Sequence, residues 1–348
     1  MKKWIALLLC LTLTLTLLAG CGGSQPAAAE SAGGQSSAAQ GGKTVVIGTQ
    51  EMPNSEGIAK SLGYFEKAFG DAGYQVSLVS FSSGAKVNAA LLSGDIDFGL
   101  IGTCPVSNGL SSGIDYKVIW IHEILGSAES LAVKNDAGVD SVAQLKGKTI
   151  ATPFASTAHY SLIKALEQAG LKETDVNLVD MQPAEIFAAW ERGDIQAAYV
   201  WEPTLSKLLD SGKILLTSGD MAKAGYMTAD LEVVRTEFAN AHPDLVKIYL
   251  QCLDKAVKLY KDDQAAAEKA IADGLEITVE DARTQMSGYQ WLSAQEQYDQ
   301  YFQNGELAKT LASTASFLKD QGSIQSAPEQ SVFDAAVDSA DLKAYLGS

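Results

Sequence analysis

The chain has 348 residues, 47% hydrophobic and 20% charged, which is enough apolar material for one or two packed domains and too much for an intrinsically disordered chain. Its 42 acidic residues against 26 lysines and arginines give a net charge of -16, and no segment clusters the basic ones; this excludes a protein that tracks nucleic-acid phosphates. The 3 histidines (His122, His159, His242) lack an H-x-x-x-H spacing and the 4 cysteines form no paired motif, so zinc has no evident ligand set.

In chain order, the first segment is an address. Lys2 and Lys3 form a basic start, Trp4 to Leu18 is an apolar and threonine run too short to span a bilayer, and the small residues Ala19 and Gly20 follow, so residues 1–20 read as a signal peptide. Its end, Leu18-Ala19-Gly20-Cys21, resembles the lipobox of bacterial lipoproteins, which implies lipidation at Cys21. Residues 22–42 carry no large apolar side chain and no periodicity, as expected of a tether reaching roughly 25 Å. The expected location is extracytoplasmic, lipid-anchored to the outer face of the cell membrane. Cys104 and Cys252 remain in the mature chain; two buried thiols are expected, though spacing alone does not decide whether they pair.

From Lys43 short apolar runs alternate with helix-length stretches, the pattern of an α/β fold. Thr44 to Thr49 reads as a strand, Gly57 to Gly70 as a helix, Gln75 to Phe81 as a strand and Lys86 to Leu92 as a helix. The segment VNAALLSGDIDFGLIGTCPV (87–106) is echoed by IFAAWERGDIQAAYVWEPTL (186–205). Each predicts a helix closed by glycine, a strand starting at the isoleucine, and a proline-bearing loop, as in corresponding pieces of two lobes. The Arg192-Gly193-Asp194 tripeptide is accordingly a helix end, not an adhesion signal. Trp190, on the second of these helices, is expected in the core.

Between the two echoes, Lys148 to Thr152 predicts a strand, Pro153 to Thr157 a loop, and Ala158 to Gln168 a helix, with Gly170 beyond it. The cluster PFASTAHY thus sits at a strand-to-helix turn, where free N–H groups and the positive helix end attract anions. Ser82-Ser83-Gly84 forms a matching turn in the first lobe, and the pair suggests two walls of one crevice. A catalytic Ser156/His159 pair is the competing reading. It lacks an orienting acid and a strained nucleophile turn, and no dinucleotide or phosphate-loop fingerprint is present.

The segments SSGAKVNAALLSGDIDFGLIG, PFASTAHYSLIKAL, MQPAEIFAAWERGDIQAAYVWEPTL and FANAHPDLVKIY together resemble the solute-binding proteins of ABC importers, in the nitrate/sulfonate/taurine branch and most closely its taurine-binding group. The resemblance covers most of the chain after Lys43. It implies a two-lobe periplasmic-binding-protein fold with two chain crossovers and a ligand cleft between the lobes. Lobe 1 would comprise residues 43–130 plus 233–348 and lobe 2 residues 131–232, with ESLAVK and LEVVR as the crossing strands. The ligand would be clamped by hinge closure and delivered to a permease and its ATPase by a monomer that needs no cofactor and performs no catalysis.

Taurine joins a sulfonate to an ammonium. By the resemblance, Ser83, Gly84, Ala85, Thr103, Ser156 and Thr157 would donate to the sulfonate, and Glu51 and Asp230 would hold the ammonium, with Glu129 and Glu202 as weaker candidates. Trp201 would cover the ligand carbons or the ammonium, and Tyr160 would also reach the ligand. Two positions depart from the family pattern: Thr103-Cys104 replaces a serine-bearing loop, and Glu202 replaces an alanine, so a longer or more basic amine also fits. Alkanesulfonate, nitrate and a pyrimidine thiamine precursor are the alternative ligands. The rival classes are a secreted enzyme on the same fold, using His159 or Cys104, and a sensor domain.

Overall fold

A computed structural model describes residues 43–337 and 339–347; the expected signal peptide, Cys21 and the tether lie outside the described residues. Eleven strands among the described residues form two sheets. They are β1 (Lys43–Thr49), β2 (Tyr74–Ser80), β3 (Phe98–Gly102), β4 (Tyr116–Leu125), β5 (Glu129–Lys134), β6 (Thr149–Thr152), β7 (Asn177–Asp180), β8 (Ala197–Trp201), β9 (Gly212–Thr217), β10 (Ala229–Arg235) and β11 (Tyr289–Gln290). The first sheet runs β11-β4-β10-β3-β1-β2 and the second β7-β6-β8-β5-β9.

Each sheet has a parallel part and an antiparallel intruder. In the first, β1 pairs in parallel with β2 and β3, and β10 enters antiparallel between β3 and β4. In the second, β6 pairs in parallel with β7 and β8, and β5 enters antiparallel between β8 and β9. The α/β class and the double crossing expected from the sequence are thus present. The lobe boundaries expected at 130/131 and 232/233 fall inside β5 and β10, because each strand pairs along its whole length within one sheet. The connections between sheets are residues 126–128 and 218–228.

The helices that matter for the site are α1 (Ser55–Ser61), α2 (Tyr64–Asp71), α3 (Gly84–Ser93), α4 (Thr103–Ser111), α5 (Thr157–Gln168) and α6 (Pro183–Arg192). The single helix expected over 57–70 is broken into α1 and α2 at Gly63, whose φ of 63° is left-handed and cannot continue a helix. The two echoed segments fold alike. Gly94 and Gly193 close α3 and α6 with the same left-handed geometry, φ 78° in both. The strands begin two residues after the isoleucines, at Phe98 and Ala197, because the intervening residue ties each chain to its neighbour. Asp97 accepts the Val46 N–H of β1 at 2.9 Å, and Gln196 accepts the Thr149 N–H of β6 at 3.0 Å.

The largest apolar cluster lies around the first sheet, with Trp120, Phe98 and Tyr249 fully buried. Separate clusters flank the second sheet, and Trp190 is fully buried in one of them, as expected. Cys104 and Cys252 are both buried free thiols.

Candidate ligand-binding site

The carboxyl ends of β1, β3, β6 and β8 lead into one small cavity. Its wall comes from both sheets. Gln50, Met52, Gly84, Gly102, Pro105 and Asp230 line it from the first, and Glu129, Ser156, Thr157 and Trp201 from the second.

The N-termini of three helices open here. Helix α3 starts at Gly84, α4 at Thr103 behind the wall residue Gly102, and α5 at Thr157. Each end carries N–H groups without helical partners and about half a positive charge. Ser156 caps α5, accepting the His159 N–H at 3.1 Å while its hydroxyl donates to the Pro153 carbonyl. Ala155, just before the cap, holds φ at 57°, a left-handed conformation costly for alanine that turns the chain into the site. Thr103 Oγ1 is fully buried and has no partner among the described residues.

Buried acids stand among these positive ends, Glu129 against the first residue of α5 and Asp230 beside Gly102 at the start of α4. Glu129, 1% exposed, accepts the Thr157 hydroxyl at 2.5 Å and the Ser218 hydroxyl at 2.7 Å, and burial pushes its carboxyl up to about 8. Asp230 is also buried, its Oδ2 has no partner, and burial raises it to about 6. Among the described residues no lysine or arginine lines the cavity. Two buried carboxyls without a basic partner, beside three positive helix ends, give one small site groups that suit a cation and groups that suit an anion.

The expected residues divide accordingly. Gly84, Ser156, Thr157, Trp201 and Asp230 are on the wall, and Glu129, a weaker candidate from sequence, joins them. Ser83 and Thr103 are buried next to wall residues, whereas Ala85 is exposed. Glu51 is exposed and borders the wider clefts beside the cavity, one of which runs from Ser82 and Lys86 to Gln182 and Lys207 and shares Trp201 with the inner site. Tyr160 lies off the wall, edge-on to Phe317 at 4.7 Å within an apolar cluster. Glu202 also turns away, taking the Ser206 N–H at 3.0 Å and its hydroxyl at 2.9 Å.

Sequence reading missed Gln50, Met52, Gly102 and Pro105, which contribute backbone and shape and carry no chemical signature. The Ser156/His159 pair does not form. His159 stacks on Phe154 at 4.6 Å, its Nδ1 accepts the Ala155 N–H, and burial lowers its pKa to about 4, while the Ser156 hydroxyl is spent on Pro153.

Comparison with known proteins places the chain in a family. Residues 43–283 match the substrate-binding domain of ABC-type glycine betaine transport systems. The chain is 34% identical over 288 residues to the taurine-binding periplasmic protein of Escherichia coli, covering 80% of this chain and 87% of that one. It is 35% identical over 269 residues to a putative aliphatic sulfonates-binding protein of Bacillus subtilis, covering 76% and 77%. The fold superposes on the periplasmic aliphatic sulphonate binding protein SsuA of Escherichia coli with a TM-score of 0.70 at 22% identity, over 83% of this chain and 91% of SsuA. A desulfurization enzyme, DSZB, shares the fold alone, with a TM-score of 0.64 at 16% identity over 88% of this chain and 99% of that one. The chain belongs to the family of ABC-transporter substrate-binding domains.

Proposed function

We propose that this protein is the extracytoplasmic solute receptor of an ABC importer and that it captures taurine or a similar small amino-sulfonate. The observation that carries the reading is the juxtaposition, in one small cavity, of three helix N-termini with the buried carboxyls of Asp230 and Glu129, neither of which has a basic partner among the described residues. A sulfonate is matched by the N–H groups of α3, α4 and α5, and an ammonium a few ångströms away by the acids. Trp201 covers the carbons between them. A simple alkanesulfonate or nitrate would leave the acids uncompensated, and a quaternary amine would not donate to them.

The two sheets with their helices act as lobes that close on the solute, and the closed form is what the permease and its ATPase read. A lipid on Cys21 holds the monomer at the outer face of the membrane by the tether of residues 22–42. The reading is supported by the taurine- and sulfonate-binding relatives and by the Ser156 hydroxyl, which donates to the Pro153 carbonyl rather than to the His159 ring; it assigns no catalysis to His159 or Cys104.

Thermal unfolding with taurine, ethanesulfonate, β-alanine, nitrate and a hydroxymethyl-pyrimidine tests it. A ligand at a hundred times its Kd stabilises by about 2.7 kcal/mol, a shift of several degrees. A shift with taurine well above the others is expected. A shift with another compound alone would move the ligand, and consumption of any of them would replace the receptor by an enzyme.

A further inference from the structure

The acid wall of the cavity has a second layer. Behind Asp230, on the neighbouring strand β4, stands Glu123, its direct partner in the β10–β4 ladder. Glu123 is fully buried and does not line the cavity. Its Oε1 accepts the Asn54 side-chain N–H at 3.2 Å, while its Oε2, like Asp230 Oδ2, has no N–H or O–H donor among the described residues. The two carboxyl groups lie within hydrogen-bonding reach of each other. Two carboxylates cannot make that contact, so the pair shares one proton.

Among the described residues the surroundings offer the pair no other counter-charge. The titratable groups that face it are Glu56 from α1, Glu129 from β5 and the Tyr289 hydroxyl from β11, all acidic or neutral. Lys60 acts on Glu56 and not on the cavity pair itself. The shared proton is therefore the pair's own counter-cation.

We propose that Glu123 is a specificity-determining residue that acts through Asp230: the carboxyl pair exchanges its proton for the ligand's ammonium, so capture of an amine-bearing solute releases a proton that an amine-free anion does not. This rests on the amino-sulfonate reading above and deepens it. The exchange balances. Before binding, two carboxyls and one proton carry a charge of -1; afterwards two carboxylates and one ammonium carry the same charge, and the proton is in solvent. An ethanesulfonate ion adds negative charge and no replacement cation, so the pair keeps its proton. Burial pushes Asp230 up to about 6 and Glu123 well above the usual carboxylate range, which places the exchange near neutral pH.

The test is calorimetric titration of the full chain with taurine and with ethanesulfonate at pH 7, in two buffers of different ionisation enthalpy, repeated across pH 6 to 8. Taurine should release up to about one proton, with affinity rising as much as tenfold per pH unit, whereas ethanesulfonate should release none. Glu123→Gln keeps the side-chain shape but has no proton to trade, so its taurine proton count should fall by about one and its pH profile should flatten. Equal proton counts for taurine and ethanesulfonate, or for the variant and the native protein, would overturn the inference. If that variant fails to fold, Glu129→Gln decides: the Glu123–Asp230 pair is intact in it, so its taurine proton count should stay native-like, and loss of the proton there would overturn the inference. Taurine binding without proton release removes this inference alone, whereas no taurine binding even at pH 8 removes the functional reading with it.

Discussion

His122 Nε2 lies 2.9 Å from Glu232 Oε2 with both side chains fully buried, yet the contact is not an ion pair. Burial lowers His122 to about 3 and raises Glu232 well above the carboxylate range, so at neutral pH an uncharged imidazole meets an uncharged carboxyl. The Tyr249 hydroxyl bridges Glu232 to Glu56, which burial pushes up to about 8. The lobe beneath the cavity is therefore filled with protonated acids.

The stability of the ligand-free protein should fall as the pH rises from 6.5 to 8. A carboxyl whose folded pKa is raised contributes fully below its unfolded value, 4.5 for glutamate, and loses that contribution as pH climbs through the folded value, about 8 for Glu56 and Glu129. The two lowered histidines, His122 and His159, have the opposite sign but act only below their unfolded value of 6.5. Above it the acids stand alone, each proton held in excess being worth about 1.4 kcal/mol per pH unit. Urea midpoints measured at pH 6.5, 7.2 and 8 check this, and a flat or rising series contradicts it.

How much of this was legible follows from where each signal resides. The paired turns at Gly94 and Gly193 could be read because a left-handed helix end is a local demand that glycine meets. The position of Ser156 and Thr157 could be read too, since they sit in the chain where a strand runs into a helix. The acid side was harder. Glu123 occurs in YKVIWIHEIL, a strand buried on both faces, so alternation gives no clue. Its trace in the sequence is an acid next to a histidine inside a mostly apolar run. Gly102 and Pro105 reach the cavity only because two sheets converge there.

Asp230→Asn should weaken taurine binding roughly 30-fold or more, the usual effect of removing one member of a buried charge pair. Ethanesulfonate, which offers Asp230 nothing, should bind as well as before or better. Calorimetry with both ligands separates the outcomes; equal losses would place the ammonium elsewhere.

Thr103→Val is the corresponding test at the anion end. The buried hydroxyl has no partner in the ligand-free fold, so its loss should leave the melting temperature unchanged or raise it, by the equivalent of about 1 kcal/mol. If the hydroxyl donates to the sulfonate, affinity for taurine and ethanesulfonate should drop together, by about tenfold. Unchanged affinity for both would remove Thr103 from the site.

Gly102→Ala probes closure itself. Gly102 belongs to the first sheet and Thr157 to the helix that follows a strand of the second, and a Cβ on Gly102 would stand 2.8 Å from Thr157 Cγ2 and 3.3 Å from Asp230 Oδ1. The backbone is not the obstacle, since φ at Gly102 is -73° and suits any residue. The added methyl group acts as a wedge between the two walls of the cavity. Separating the lobes relieves it, so the free protein should keep its stability while losing the tight form. Taurine and ethanesulfonate should therefore weaken alike, by tenfold or more at an overlap cost of about 1–3 kcal/mol. That common loss, unlike the selective loss at Asp230, identifies closure as the step affected. Small-angle scattering with saturating taurine should show a larger radius of gyration for the variant than for the native protein. Native-like compaction with native affinity would mean that Thr157 yields without moving the lobes apart.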